Sequence, residues 1–493
     1  MLRSSIRFSK HGSRDYALAN IERSLLRIGV FPFLNHNGGG IYQYSLAILR
    51  TLNEWETDDQ LFVLTLNDNH PIPPYLDRDK WEFKPLQLQL DRGNPKTLNI
   101  FRRIVGEGIH RDSWRRLRRA LNGNLNRANG SVSDLDVVRP RPAINEMFRK
   151  WKLDLVFYAW PTPLSFETQV PFIMAIHDMQ HRLQPEFPEV SANGEWESRE
   201  YCFRNSARHA TLLVADSEVG KEDILHFYES HVTSEQVKVL PFLPASHPNG
   251  NSLSSDGTRV RTFYALPERY LFYPAQFWPH KNHLRIVQAL HLLRETRDLT
   301  APIVFCGSHT GEIREHTFKE VMSFSSSVGL EKQIHYLGYV PDQDVSAIYA
   351  HATALVMPTF FGPTNIPILE AWAHGCPVLT SDIRGIREQV GNAALMVDPR
   401  SVNAIAEGIH RLWTDDSLCA NLTRFGRRRL GSYTPNDFQE RLIAIVEEAK
   451  TRVRLKSVKS HVGGEINPKQ TTFVTPPEFK QGPYSGIDEK ERF

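Results

Sequence analysis

The chain of 493 residues has a net charge of +3, with 41% hydrophobic and 23% charged residues. This length allows roughly two to four domains with sizeable cores, and the composition is that of a soluble globular protein. The near-neutral charge argues against a nucleic-acid partner, and no apolar run of about 18 residues predicts a transmembrane helix. Four widely spaced cysteines without a CxxC pair indicate reduced thiols, not a disulfide framework or a zinc site.

The N-terminal residues 1–24 are basic and lack an apolar stretch, which predicts a disordered leader. A strand at 26–31, a turn of three glycines (Gly38, Gly39, Gly40) and a periodic helix at 41–52 then form a first βα unit. Such a turn lets the backbone approach a ligand closely, although a plain surface turn explains it equally well. The spacing is not GxGxxG, so no dinucleotide fingerprint is predicted.

Residues 91–152 form a basic insertion with fifteen Lys/Arg against six acidic residues. Trp114, Leu117 and Leu121 recur at helical spacing among arginines. This pattern predicts a basic amphipathic helix that docks on an anionic membrane surface or partner, or a solvated helix that packs on its own domain. Asp134 and Asp136 form a DxD, but in a polar loop this spacing is common by chance and predicts no metal site.

Further strands are predicted at 60–65, 153–158, 171–176, 212–215 and 237–240, and helices at 195–209 and 218–228. The nearly all-apolar run at 171–176 ends at His177, where a parallel sheet places its ligands. A structural histidine is the alternative for a lone residue of this kind. These elements predict a first domain at 25–246, followed by a polar linker at 247–258.

A second domain is predicted at 259–433, with strands at 270–273, 303–306, 334–337, 354–357, 377–380 and 395–397. Its central feature is a βαβ unit whose helix starts near Ile366, with Glu370 in the first turn. The free N–H groups of this helix start form a predicted anion site. A helix at 434–455 is expected to pack back on the first domain, and 456–493 to be a disordered tail.

Two successive αβ series predict an α/β fold with two doubly wound, Rossmann-like domains. In such domains, ligands bind at the carboxyl ends of the parallel strands. If the two edges face each other, they form one interdomain cleft that a hinge motion closes.

Several motifs resemble the retaining glycosyltransferases of GT-B fold, in the glycosyltransferase family 4 group. They are PHKN at 279–282, NIPILEAWAHGCPVLTS at 365–381, NGGGIYQYS at 37–45, IHD at 176–178 and ADSEVGKEDI at 215–224. The resemblance covers roughly residues 28–452. It implies that the second domain holds a nucleotide-diphosphate sugar as donor substrate, that the first holds the acceptor, and that neither a cofactor nor a metal takes part.

The resemblance also implies a role for individual residues. Lys281 corresponds to the lysine that binds the donor phosphates, Glu370 to the carboxylate that accepts the ribose hydroxyls, and His177 to the residue facing the transferred sugar. Solvent exposure of Lys281, or a helix-dipole role for Glu370, are the alternatives. The expected donor-binding residues are Gly39, Gly40, Gln276, His280, Gly338, Tyr339, Gly362, Thr364, Asn365 and Ile366.

The sequence departs from the family pattern at two positions. Gly362 stands where a glutamate usually contacts hydroxyls of the donor sugar, so the choice of sugar is open. Gln276 stands where an arginine usually neutralises the diphosphate, so one positive charge must come from His280 or from an arginine elsewhere. Both changes leave the predicted phosphate and ribose contacts in place.

The resemblance therefore predicts retaining transfer of a hexosyl group to a polysaccharide, oligosaccharide or lipid-linked acceptor. GDP-mannose is the first candidate donor because the IHD segment looks most like bacterial polysaccharide mannosyltransferases, and UDP-sugars stay open. The location is expected to be cytoplasmic, at the face of an anionic membrane if the basic insertion docks there. The alternatives are an epimerase or a soluble disaccharide synthase on the same scaffold, and a non-catalytic sugar-nucleotide-binding protein.

Overall fold

A computed structural model describes residues 25–66, 72–86, 135–244 and 257–462. The predicted leader, most of the basic insertion with its arginines at 102–119, most of the linker and the end of the tail lie outside these described residues. Asp136 of the DxD pair is described, and its Oδ1 binds Arg204 at 2.9 Å and Arg208 at 3.1 Å. Its carboxylate is thus engaged in ion pairs within the first domain.

The first domain contains a seven-stranded parallel sheet in the order β3-β2-β1-β4-β5-β6-β7. Its strands are β1 (Arg27–Phe31), β2 (Gln60–Thr65), β3 (Trp81–Pro85), β4 (Leu155–Tyr158), β5 (Phe172–Ala175), β6 (Leu212–Ala215) and β7 (Val237–Val239). Its helices are α1 (Gly40–Glu54), α2 (Pro142–Lys150), α3 (Leu164–Glu167), α4 (Gln180–Leu183), α5 (Pro188–Ser191), α6 (Glu195–His209) and α7 (Glu218–Tyr228). Separate apolar clusters cover the two faces of the sheet, as expected when parallel strands are buried on both sides.

The second domain contains a six-stranded parallel sheet in the order β10-β9-β8-β11-β12-β13. Its strands are β8 (Leu271–Pro274), β9 (Ile303–Cys306), β10 (Ile334–Tyr336), β11 (Ala354–Met357), β12 (Val378–Ser381) and β13 (Leu395–Val397). The helices of this half of the chain are α8 (Gly257–Phe263), α9 (His283–Arg297), α10 (Glu312–Ser327), α11 (Asp342–His351), α12 (Ile366–Ala373), α13 (Arg384–Val390), α14 (Val402–Thr414), α15 (Asp416–Leu430) and α16 (Pro435–Val462). Of the helices in the described ranges, none combines the length and apolar character needed to cross a bilayer.

In both sheets the strand order reverses next to the first strand of the domain. The reversal lies between β1 and β4 in the first sheet and between β8 and β11 in the second. At such a point neighbouring loops diverge and open a crevice beyond the carboxyl ends of the strands. The loops after β8 and β11 carry Lys281 and the segment 358–365, which places both at the reversal of the second sheet.

Helix α16 joins the core of the first domain although it follows the second domain in the chain. Its buried apolar side chains belong to the same cluster as Ile28 and Leu49, and they are Phe438, Leu442, Ile445, Val446 and Ala449. At one end of this contact, the buried Lys450 ammonium binds Asp59 Oδ2 at 2.6 Å. The core of the first domain therefore includes a helix that follows the second domain in the sequence.

Leu442→Ala is expected to destabilise the first domain by about 2–5 kcal/mol because it leaves a cavity at a fully buried position. The midpoint of urea unfolding measures this loss. Glu440→Ala, at an exposed position of the same helix, removes side-chain atoms without opening a cavity and should change the midpoint little. Equal effects of the two substitutions would contradict the packing of α16.

The elements that were not anticipated from the sequence include β3, α10 and α15. Strand β3 buries only Trp81 fully, and its charged residues mask the pattern of a strand. Helix α10 buries Thr317, Val321 and Ser325, which give little hydrophobic periodicity. In addition, α12 begins at Ile366, so Glu370 lies in its second turn, and the prediction of the first turn was wrong.

Candidate functional site

The carboxyl-terminal edges of the two sheets contact each other through the glycine turn of the first domain. Gly39 precedes α1 with φ of 58°, and a Cβ atom there would meet nothing within 4 Å. A Cβ atom at Gly40 would lie 3.3 Å from Ile366 Cδ1, at the start of α12 in the second domain. Gln43 Nε2 also donates to Asp342 Oδ2 at 3.1 Å. The turn therefore lies directly opposite the predicted anion site.

Lys281 is held in place by the residue that follows it. Asn282 adopts a left-handed conformation with φ of 64°, and its Nδ2 donates to the carbonyls of Pro358 (2.7 Å) and Pro399 (2.8 Å). Burial lowers the pKa of Lys281 to about 8, although the carboxylates of Glu189 and Asp178 act in the opposite direction. A half-buried ammonium near neutral pH is suited to receiving an anion because less water competes for it than at the surface.

His280 is paired with a carboxylate from the first domain. Its Nδ1 lies 2.5 Å from Glu189 Oε1, and its backbone N–H donates to the same oxygen at 3.2 Å. Burial and the neighbouring Lys281 charge lower the pKa of His280 to about 4, in spite of Glu189. The ring is therefore neutral at pH 7 and cannot supply the charge that Gln276 lacks.

An arginine lies beside Gln276. Arg314 Nη1 donates to Gln276 Oε1 at 2.8 Å, and Trp278 Nε1 donates to the same oxygen at 2.9 Å. The Arg314 guanidinium also lies 4.6 Å from the centre of the Trp278 ring. Because α10 was not anticipated, this arginine was missed, yet it brings a permanent positive charge to the position of the family's arginine.

Glu370 lies within the second domain at the other end of this edge. Tyr349 donates its hydroxyl hydrogen to Glu370 Oε2 at 3.0 Å. Burial raises the pKa of Glu370 to about 7, with Asp342 acting in the same direction. Because Glu370 is outside the first turn of α12, the helix-dipole alternative loses its basis. A half-buried carboxylate with one anchored oxygen can accept hydrogen bonds from hydroxyl groups through its remaining lone pairs.

The loop before α12 leaves no room for a side chain at position 362 and is held by hydrogen bonds to Gln389. Gly362 has φ of 143°, and a Cβ atom there would lie 2.4 Å from Asn365 Nδ2. The backbone N–H of Asn365 donates to Gln389 Oε1 at 2.9 Å, and Gln389 Nε2 donates back to the Asn365 carbonyl at 2.9 Å. The expectation that the Asn365 N–H stands free for an anion was therefore wrong, because the Gln389 amide occupies it.

Thr364 connects this loop to the first domain. Its hydroxyl donates to Asp216 Oδ2. Burial raises the pKa of Asp216 to about 7, although the hydrogen bond from Thr364 acts against this rise. The neighbouring Ser217 caps α7 by accepting from the Gly220 N–H at 3.0 Å. The Asp216 side chain thus stabilises the contact between the domains, while the Ser217 side chain stabilises the start of α7.

His177 follows β5 and lies against α1. Its Nε2 is 3.1 Å from the Ala159 carbonyl, which only accepts, so Nε2 carries hydrogen. The ring packs edge-to-face on Tyr44 at 4.9 Å. Burial lowers the pKa of His177, so the ring is neutral and Nδ1 is its acceptor. Next to it, burial acts to raise the pKa of Asp178, but Arg199, which binds Asp178 at 2.8 Å, and the Gln180 N–H are the main groups that lower this pKa to about 2.

Gly338 and Tyr339 lie after β10 at the outer side of the crevice. The Gly338 carbonyl accepts from the Gly307 N–H at 2.8 Å, which fixes the loops after β9 and β10 to each other. Tyr339 is 62% exposed, and its ring lies 5.6 Å from that of His36 in the first domain. Both residues lie at the carboxyl end of the sheet, and the passage of a nucleobase along them stays a prediction.

Most of the residues expected in the site lie along the facing edges of the two sheets. Glu189, Asp216 and Arg314 were not expected there. Asp216 belongs to a quoted motif, but its sequence signal was that of a helix cap. Glu189 and Arg314 gave no local signal, because only the fold brings them to the site.

Comparison with known proteins finds a family model that is similar to the second domain. Residues 259–429 match the family model described as glycosyl transferases group 1. A stretch of 235 residues is 28% identical to O-antigen chain mannosyltransferase B from Escherichia coli and covers 47% of this chain and 58% of that protein. A D-inositol 3-phosphate glycosyltransferase from Corynebacterium urealyticum is 21% identical over 281 residues, which cover 55% of this chain and 65% of that protein. The matches thus span less than two thirds of either relative.

Solved structures match over both domains. HepE from Anabaena, crystallised with UDP and glucose, has a TM-score of 0.58 at 16% identity and covers 86% of this chain and 99% of its own. WaaG, a glycosyltransferase involved in lipopolysaccharide biosynthesis, has a TM-score of 0.57 at 14% identity and covers 89% and 100%. The predicted fold is confirmed: two Rossmann-like domains with parallel sheets, as in GT-B glycosyltransferases. The match to the glycosyl transferases group 1 family thus rests on residues 259–429, and the solved structures show the fold.

Proposed function

We propose that this chain, with its GT-B fold and a second domain that matches glycosyl transferases group 1, is a retaining glycosyltransferase of the family 4 group. It moves a hexosyl group from a nucleotide-diphosphate sugar to a glycan acceptor. One observation carries this proposal: Lys281 and Glu370 follow β8 and β11 at the carboxyl edge of the second sheet, and burial shifts the pKa of each of them toward neutral pH. A cation for phosphate and a carboxylate for hydroxyls are the two groups that a nucleotide diphosphate requires.

The two cations of the second domain explain how the leaving group is stabilised. Lys281 offsets the negative charge that grows on the diphosphate as the glycosidic bond breaks, and Arg314 supplies the charge that Gln276 does not. Glu370 accepts the ribose hydroxyls. Since these residues provide the positive charge, the proposed reaction proceeds without a divalent ion.

The first domain provides the other half of the reaction. The neutral His177 accepts a sugar hydroxyl at Nδ1 and lies near the developing positive charge of the sugar. The resemblance favours attack of the acceptor on the same face that the diphosphate leaves, with the leaving phosphate taking the acceptor proton. This order of events keeps the configuration of the sugar.

The relatives suggest the class of donor and acceptor. An O-antigen chain mannosyltransferase favours a mannosyl donor and a polysaccharide or lipid-linked acceptor, while the UDP of HepE keeps UDP-sugars open. A cytoplasmic location, at an anionic membrane face, is proposed from the basic residues at 102–119.

A thermal-shift panel of UDP-, GDP- and ADP-sugars tests the proposal. Sugars of one nucleobase should raise the melting temperature, since a ligand at about 100 times its Kd stabilises the folded state by about 2.7 kcal/mol. The same ligands, given with acceptor glycans, should release the nucleoside diphosphate. If no nucleotide sugar shifts the melting temperature, the proposal is wrong. Conversion of the sugar without an acceptor would indicate the epimerase, and binding without any turnover the non-catalytic protein.

A further inference from the structure

The loop that contains Gly362 offers no carboxylate to the sugar end of the site. A Cβ atom at position 362 would collide with Asn365 Nδ2 at 2.4 Å, so this backbone conformation is suited to glycine alone. A segment of the first domain lies on the same loop. Gln184 Nε2 donates to the Phe360 carbonyl at 2.9 Å, and the Phe187 ring lies 5.7 Å from the Phe360 ring. Two residues after Phe187, this segment carries a carboxylate.

That carboxylate is Glu189, which is only 2% exposed. Its Oε1 accepts from the backbone and the ring of His280, the residue before Lys281. Among the described residues, its Oε2 is buried and has no hydrogen-bond partner. Burial acts to raise the Glu189 pKa, but the interactions with His280 and with the Glu189 backbone together hold the pKa below its usual value.

The unpartnered Oε2 atom of Glu189 is suited to a ligand group that donates a hydrogen bond, such as a hydroxyl. A buried, ionised carboxylate oxygen without a donor is costly, and a hydroxyl group relieves this cost. A phosphate cannot do so, because two negative charges repel each other. The group that sits beside a diphosphate held at Lys281 and carries hydroxyls is the sugar attached to it. The Oε2 atom is therefore matched to the sugar, not to the nucleotide.

We propose that Glu189 of the first domain binds hydroxyls of the transferred sugar and determines which sugar is accepted. It supplies the carboxylate that position 362 lacks. This inference rests on the proposed function, because it assumes a nucleotide sugar at Lys281. The competing role is purely mechanical: Glu189 would fasten His280 to the first domain and have no contact with the donor.

Calorimetric titration of Glu189→Gln separates the two roles. The amide keeps the Oε1 acceptor for His280 but turns the Oε2 acceptor into a donor. Affinity for the preferred nucleotide sugar should fall roughly ten- to a hundredfold, because a hydrogen bond to a charged group is lost. Affinity for the free nucleoside diphosphate should stay the same or rise, because a negative charge near Lys281 is removed. Discrimination between two epimers of the sugar should shrink.

Glu388 offers a matched control. It is also a glutamate that joins the two domains: its carboxylate accepts from the N–H groups of Glu218 (3.0 Å) and Val219 (2.9 Å) at the start of α7. Glu388→Gln should lower the melting temperature without changing the ratio of the two affinities. Equal losses for nucleotide sugar and free diphosphate in Glu189→Gln, or unchanged epimer discrimination, would overturn the inference. If the unaltered protein binds no nucleotide sugar, the proposed function itself fails.

Discussion

Lys281→Ala is expected to lower kcat/KM for the nucleotide sugar by about 10²–10³-fold, the usual cost of removing one group that stabilises a developing negative charge. The loss should lie mainly in kcat, since the charge on the diphosphate grows as the glycosidic bond breaks. Release of nucleoside diphosphate under saturating acceptor measures the effect. Folding should be preserved, because burial disfavours the charged form of Lys281 and alanine removes that cost.

Lys319→Ala serves as the control for this substitution. It removes the same charge from the same domain, at an exposed position of α10. Its kcat/KM should equal that of the unaltered protein. If Lys281→Ala retains full activity while its melting temperature is unchanged, the anion site has been assigned to the wrong residue.

Local signals in the sequence were sufficient for most of the fold. Helices α6 and α7 have the predicted bounds, and so do strands β2, β6, β9 and β13. Each has a clear start or stop, such as the Ser217 side chain that caps α7. Apolar runs bounded by glycine, proline or a cap fix an element locally, whereas β3, α10 and α15 bury too few apolar side chains to show a pattern.

The residues of the candidate site were predictable mainly in the second domain, and in the first domain only His177 and the glycine turn were predicted. Residues of the second domain were identified by motifs that lie close together in the chain. Their partners were not, because Glu189 lies 91 residues from His280 and Asp216 lies 148 residues from Thr364. A sequence shows that each of these side chains is polar, but only the closed cleft shows what each one contacts. The same holds for the Asn365 N–H, whose occupation by Gln389 depends on the packing of α13.

The two domains contribute different chemical groups to the cleft. The second domain alone offers Lys281, Arg314 and Glu370, which suit the nucleotide. Glu189, His177 and Asp216 reach the cleft only when the first domain is in contact. We therefore expect the nucleotide to bind to one domain, and selection of the sugar to depend on closure.

Activity should fall as the pH drops below about 7, because Glu370 must be ionised to accept the ribose hydroxyls. Burial raises its pKa from 4.5 to about 7, so the carboxyl is mostly protonated below that value. A plot of kcat/KM for the donor against pH should therefore rise by tenfold per pH unit on its acid side and bend near 7. Above about pH 8 it should fall again as Lys281 loses its proton. The Glu370→Gln variant should lose most of its activity at every pH. Its plot of kcat/KM against pH should lack the rise on the acid side, the acid limb.

Asp216→Asn is the matched control, since burial raises the pKa of Asp216 to about 7 as well, but its carboxylate contacts Thr364 and not the ribose site. The acid limb should persist in this variant, and its disappearance would reassign the limb to the domain contact.

The dependence of stability on pH gives an independent check that the pKa of Glu370 is raised in the folded protein. A raised carboxyl pKa favours folding below pH 4.5, and this contribution is lost as the pH rises through about 7. Glu370→Gln should therefore melt at a higher temperature than the unaltered protein at pH 8, with the difference shrinking toward pH 5, so that the substitution that removes activity also stabilises the fold.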